Sequence, residues 1–281
     1  MIRQPRRALF LAPAAAVLIL AALASTVVQT QAPINPQEPK LWANLYVQTS
    51  AEYEALCLQT YGWAAERLRE KLAVLREHAK PPAVVMDLDE TVLDNGGFQT
   101  FMYRQARPDS EFNDWWSKWE VVFAEEPALV PGAKAFIAAA EAMGVSVVYI
   151  SNRMATEPTI KALGRLGLDL ADINSRLKLP TDNDPDKTAR RRSAEKRYEV
   201  LMWVGDNLRD FAEEFVMPSS YPKGDADRVR AIEDRKSKVR STAFHWGHDW
   251  IVLPNPVYGE WPRPFGQNPG AFLKKTSLKA D

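Results

Sequence analysis

The chain has 281 residues, 36 of them basic and 36 acidic, with 46% hydrophobic and 26% charged side chains. This excludes collagenous, low-complexity and wholly disordered chains, and the length fits one large domain or a domain carrying an insertion. A formal charge of zero argues against a partner that is a nucleic acid polymer, but small anionic substrates stay open because local site charge decides those. The single cysteine, Cys57, excludes an internal disulfide framework and a thiolate metal cluster. We read it as a small core residue.

Residues 1–32 read as a secretory signal peptide. Arg3, Arg6 and Arg7 form a positive head, an apolar run follows from Leu9 to about Ala24, and small residues come next. Cleavage after Ala24 or after Ala32 fits the pattern. An uncleaved anchor is the competing reading, against which Pro13 and the alanine richness weigh. No cysteine lies near either site, so a lipoprotein anchor is not expected. Without the leader the chain carries 33 basic and 36 acidic residues, a charge of −3. The expected location is the periplasm or the medium, with no stable membrane anchor.

Beyond a Pro-rich entry, Leu41 to about Glu77 repeats apolar residues at helical spacing and predicts one or two long helices. Short, nearly continuous apolar runs then predict buried parallel strands at Ala83–Met86, Val145–Ile150, Val200–Val204 and Trp250–Leu253, with a shorter one at Arg176–Leu179. Helices are expected between them, at Gly132–Met143, Thr156–Leu166, Lys187–Tyr198, Leu208–Phe215 and Asp225–Val239. The alternation predicts an α/β fold: a doubly wound parallel sheet over residues 33–281, whose ligands bind beyond the carboxyl ends of the strands. Residues 95–131 interrupt it with an aromatic-rich insertion, expected to form a small helical cap.

The chemistry gathers at those strand ends. Asp87 and Asp89 follow the first strand two residues apart, so an extended backbone aims both to one side. Carboxylates so close repel and need a counter-charge such as a metal ion. Asp206 and Asp210 follow the Val200–Val204 strand, on one face of a starting helix. Four carboxylates make an oxygen-rich pocket suited to Mg2+ in preference to zinc. Ser151 is placed to hydrogen-bond a phosphate oxygen, and Lys187 to neutralise phosphoryl charge.

These residues resemble the haloacid dehalogenase superfamily of phosphohydrolases. Its four motifs occur in order: Asp-x-Asp-x-Thr at Asp87, Asp89 and Thr91, a strand-ending Ser151, Lys187, and Gly-Asp-x-x-x-Asp at Gly205, Asp206 and Asp210. The wording is closer still to the class C bacterial acid phosphatases, whose lipoprotein members are 5'-nucleotidases. It is shared over Asp87–Asn95, Ile150–Arg153, Val204–Asp210 and Leu253–Trp261. The resemblance implies that Asp87 is the nucleophile, and that Asp89 protonates the leaving alcohol and later deprotonates water, which predicts an acidic rate optimum. It implies that Ser151 and Lys187 hold the transferring phosphoryl group. Mg2+ would sit on Asp87, the main-chain carbonyl of Asp89, and Asp206, with Asp210 in support.

The expected substrate is a small phosphate monoester, 5'-nucleotides foremost. Thr91, Asn152, Trp115 and Tyr258 are the candidate substrate-binding residues, and the cap aromatics are candidates to stack a base. Trp115, Trp116 and Trp119 also lie at helical spacing and would serve equally to pack the cap. Asn152, Arg153 and Asn207 flank the motifs as buttress or contact. Asp182, Asp184 and Asp186 read as a solvated loop, and Arg190, Arg191 and Arg192 as a solvated helix face. His78, His245 and His248 are scattered and carry no metal expectation. Two other functions remain: a binding or storage protein with vestigial catalysis, and a phosphotransferase to alcohol acceptors.

Overall fold

The computed structural model describes residues 34–75, 80–182, 184–266 and 269–273, so the expected leader, residues 1–32, lies outside the described residues. Among the described residues, no helix is long and apolar enough to cross a membrane.

Five parallel strands form one sheet: β1 (Pro82–Met86), β2 (Ser146–Ile150), β3 (Leu177–Lys178), β4 (Glu199–Gly205) and β5 (Trp250–Val252). Their order is β3-β2-β1-β4-β5, with the chain-first strand in the centre. The pleat explains why these runs are apolar throughout. Val84, Met86, Val147, Tyr149, Met202 and Val204 belong to the larger core cluster. Their alternating neighbours Ala83, Val85, Val148 and Ile150 pack with Ala194 and Tyr198 in a second cluster. Both faces of the central strands β1 and β2 are covered, so each of them needs two apolar sides.

The predicted amino-terminal helical region is two helices, α1 (Leu41–Thr49) and α2 (Ala51–Val74). Ser50 separates them: its extended backbone ends α1, and its hydroxyl accepts from Tyr53 N at 3.1 Å to cap α2. Along α2, Tyr53, Cys57, Tyr61, Ala64 and Leu68 form the buried stripe, at the three-to-four-residue steps that keep side chains on one face. The buried Cys57 is a small residue of that stripe.

After β1 the chain turns sharply. Leu88 O accepts from Val92 N and Leu93 N, both at 2.8 Å, and Glu90 takes a left-handed φ of 54°. Such a backbone is costly for a residue with a Cβ. The Tyr61 hydroxyl donates to Thr91 O, tying this turn to α2. The aromatic segment leaves the core at Asp94 and returns at Ala128, where Asp94 N donates to Ala128 O at 3.0 Å. It contains α3 (Gly96–Arg104) and α4 (Phe112–Phe123).

The remaining helices are α5 (Ala133–Ala142), α6 (Thr156–Arg165), the single turn α7 (Ile173–Arg176), α8 (Thr188–Arg197) and α9 (Asp225–Ser241). Two expectations are corrected here. The predicted helix at Leu208–Phe215 is a pair of 3-10 turns, Leu208–Asp210 and Glu213–Phe215, split by an extended Ala212. The Arg191 guanidinium takes the carbonyls of Arg209 at 2.9 Å and Asp210 at 3.4 Å, oxygens that a continuing helix would need for its own ladder. The run Arg190–Arg192 is accordingly no plain solvated face. Arg191 is buried, and Arg190 Nη2 donates to Asn152 Oδ1 at 2.7 Å.

Candidate active site

Three backbone ladders run past the ends of the named strands and set the site. Asp87 N donates to Val204 O at 2.9 Å, Ser151 N to Lys178 O at 3.2 Å and Leu253 N to Gly205 O at 2.9 Å. The carboxyl edge of the sheet therefore delivers Asp87, Ser151 and Asp206 from neighbouring strands. Asp87 and Asp206 border an open cleft of about 270 Å³, to which Asp89, Lys187 and Asp210 also contribute.

Lys187, the residue before α8, ties the two acidic motifs together. Its Nζ donates to Asp87 Oδ1 and, at 2.7 Å, to Asp210 Oδ1. Asp210 Oδ2 accepts from Asn207 N at 2.9 Å, a capping contact that turns the carboxylate back toward β4. Gly205 makes room for it. A Cβ there would lie 2.5 Å from Asp210 Cβ and 2.7 Å from its Cγ. Asp206 is held from both sides, by Thr91 Oγ1 at 3.2 Å and by Asn255 Nδ2 at 2.8 Å.

With every group ionised, three carboxylates against one ammonium would carry a net charge of −2 in a space where Asp87, Asp206 and Asp210 place oxygens within 4.8 Å of one another. The electrostatic consequences follow. Burial pushes the Asp87 carboxyl well above the usual range; Lys187 pulls it down, and Asp210, Asp206 and Asp89 push it up again. Burial and Asp210 raise Asp206 to about 7, against the Asn255 hydrogen bond. Burial alone would lower Lys187, but Asp210 and Asp87 outweigh it and hold the ammonium above its ordinary value. An all-oxygen, doubly negative cluster fits a divalent hard cation.

Asp89 belongs to a separate network. Its Oδ1 accepts from Arg153 Nε at 2.8 Å and from Asn95 Nδ2 at 3.0 Å. Its Oδ2 faces the Ser151 hydroxyl at 3.4 Å. Ser151 itself is fully buried beneath the cleft, where its Oγ also accepts from Arg153 N at 3.1 Å.

Of the substrate-binding candidates, Asn152 and Tyr258 line the cleft. Thr91 is fully buried behind Asp206 and touches the cleft only through that carboxylate. Trp115 lies elsewhere: its ring carries Lys118 Nζ at 4.1 Å and Arg107 at 4.9 Å, and its Nε1 donates to Glu111 at 2.9 Å. The wall that α4 offers the cleft is Phe112, Asn113 and Trp116. Adjacent residues on a helix are turned by about 100°, so Trp115 and Trp116 cannot face the same way. The Phe112 and Trp116 rings stack at 10° with centroids 5.6 Å apart.

Several site residues escape motif reading. Asn255 sits in the Leu253–Trp261 segment, directly after β5, and its role in holding Asp206 emerges only when β4 and β5 pair. Trp116 and Phe112 are hidden among equivalent aromatics. Glu120, 1% exposed, has the sequence setting of a helix-surface acid but accepts from Met154 N at 3.1 Å, Ala155 N at 2.9 Å and Trp116 Nε1 at 2.9 Å. No local sequence signal marks it.

Comparison with known proteins agrees with this geometry. The class C acid phosphatase from Bacillus anthracis is similar at 29% identity with a TM-score of 0.69, over 87% of this chain and 100% of that one. The same protein with tungstate bound is similar at 28% identity, with the same TM-score and coverage. Residues 12–261 match the family described as HAD superfamily, subfamily IIIB (acid phosphatase). Strand order, the paired acidic motifs and this match over most of the length converge: the chain belongs to the acid phosphatases of HAD subfamily IIIB and is a phosphomonoesterase.

Proposed function

We infer that the protein is an exported, Mg2+-dependent acid phosphatase that hydrolyses nucleoside 5'-monophosphates and related esters through an aspartyl-phosphate on Asp87. The observation that carries this reading is the doubly negative cluster of Asp87, Asp206 and Asp210 with Lys187 between two of its members. Asp87, the main-chain carbonyl of Asp89, and Asp206 would hold the ion, with Asp210 in support. When bound it neutralises charge between the carboxylates and the phosphate.

The chain's own groups do the rest. Asp87 attacks phosphorus, and the ester P–O bond breaks as Asp89 gives its proton to the departing oxygen. Asp89, now a carboxylate, takes a proton from water, whose oxygen attacks phosphorus and displaces Asp87, releasing inorganic phosphate. Lys187 and Ser151 supply donors to the phosphoryl oxygens. The stacked Phe112–Trp116 wall and Tyr258 offer flat apolar surface to a base, an interaction worth about 1–3 kcal/mol per base.

The test is release of phosphate from p-nitrophenyl phosphate with Mg2+, expected to be lost on chelation and in Asp87→Asn. A panel of 5'-nucleotides, 3'-nucleotides, nicotinamide mononucleotide and sugar phosphates then sets the leaving group. Equal turnover across the panel rejects the base-stacking assignment. Mass spectrometry of the exported protein tests the leader, and an intact Met1 refutes its removal.

A further inference from the structure

Arg153 is the largest side chain in the protein that is fully shielded from solvent among the described residues. A guanidinium cannot lose its charge, and burying one is unfavourable unless partners compensate. Its partners are specific. Nε donates to Asp89 Oδ1 at 2.8 Å, and Nη2 to Asn95 Oδ1 at 2.9 Å, while Nη1 has no hydrogen-bond partner. The guanidinium carbon lies 4.8 Å from the Phe123 ring centroid and 5.6 Å from that of Trp116, so α4 packs the group into place. Asn95 is locked in turn: its Oδ1 also accepts from Trp119 Nε1 at 2.9 Å. As a device for stability alone this is poor, since an unsatisfied buried donor costs free energy.

As a device for orientation it is well made. Two N–H groups converge on Asp89 Oδ1, and an oxygen already accepting two donors is a bad place for a proton. Asp89 Oδ2 is thereby left as the less engaged oxygen, its one hydrogen bond among the described residues coming from the Ser151 hydroxyl at 3.4 Å. We propose that Arg153, seconded by Asn95, is the positioning residue for Asp89, selecting Oδ2 as the oxygen that exchanges the proton with the leaving group. This rests on the general acid–base role of Asp89 in the proposed function. The aromatic residues of α4 hold the guanidinium, so the helix that walls the cleft also sets the proton donor.

The test uses kcat/KM over a series of aryl phosphates from dinitrophenyl to phenyl, because a proton donor matters more as the leaving group worsens. Asp89→Asn is the control, expected to lose progressively more along the series. Arg153→Gln is expected to follow the same trend, losing about 10²-fold on phenyl phosphate but only a few-fold on the dinitrophenyl ester. Arg153→Lys retains a buried cation, and with it the fold, but lacks the planar Nε–H. It is expected to reproduce the steeper dependence, and it carries the test if the glutamine variant does not fold. A uniform loss across the series in the Arg153 variants, or full activity in Arg153→Lys, overturns the positioning role while leaving Asp89 intact. A uniform loss in Asp89→Asn overturns the acid–base role beneath it.

Discussion

Lys187 Nζ stands 2.7 Å from Asp210 Oδ1, and the same ammonium donates to Asp87, so one buried cation joins carboxylates from two different strand ends. Removing one partner of a buried ion pair strands the other charge, at a cost of about 3–5 kcal/mol. Lys187→Met is therefore expected to lower unfolding free energy by about that much in the absence of metal. Added Mg2+ is expected to recover part of the loss, because a second cation then serves the same carboxylates. Denaturant titration with and without Mg2+ reads both effects.

The direction of the Asp206 shift sets a pH dependence. Its carboxyl titrates at about 7 when folded against 3.8 ordinarily, chiefly because it is buried and faces Asp210. Between those values the folded chain binds the proton that the unfolded chain has released, so this group makes metal-free stability fall as pH rises from about 4 to 7. The drop is on the order of a few kcal/mol. Thermal melts of chelated protein at pH 5 and pH 8 are expected to differ accordingly, with Mg2+ flattening the curve. A chelated protein more stable at pH 8 contradicts the assignment.

Gly205→Ala tests the carboxylate cluster without touching a carboxylate. The new methyl group would overlap Asp210 Cβ at 2.5 Å, forcing that side chain away from Lys187 and its neighbours. Metal affinity measured by calorimetry is expected to fall about 10–100-fold, the usual consequence of disturbing a supporting partner. A Cβ is fixed to its own main chain, so the Leu208–Asp210 turn must shift with it, and a melting curve on the same variant separates this local displacement from loss of the fold.

Glu120 is expected to matter for stability despite lying on a cap helix. It accepts three donors, two of them backbone N–H groups at the entry to α6. Glu120→Ala removes the partner of all three in a part-buried setting, and about 1–2 kcal/mol of destabilisation is expected. Turnover should fall as well, since Met154 and Ala155 directly follow the Ser151–Arg153 segment. Chemical denaturation and steady-state assays on the same preparation separate the two effects.

Much of this protein is legible in its amino-acid pattern. Burial on two faces forces strands to be apolar throughout, so β1, β2, β4 and β5 announce themselves, and polar residues at their carboxyl ends mark the site. Asp87, Asp89, Ser151, Asp206 and Asp210 stand out for that reason, whereas Lys187 opens a helix and is read only from the order of the motifs. The Leu208–Phe215 segment misleads because its periodicity is helical, while Arg191, from a different element, claims the carbonyls that a helix would have used.

What the chain's local pattern determined by itself is the sheet, its edge and the acids carried there, because repeating spacing encodes which face is buried. Only the tertiary structure decided which partner each acid meets. Arg153 reaches Asp89 across 64 positions, Asn255 reaches Asp206 across 49, and Thr91 reaches Asp206 across 115. No periodicity spans such distances. These contacts exist because strand order brings β1, β2, β4 and β5 side by side, and the choice of Trp116 over Trp115 as a cleft wall follows from how α4 is rotated against that sheet edge.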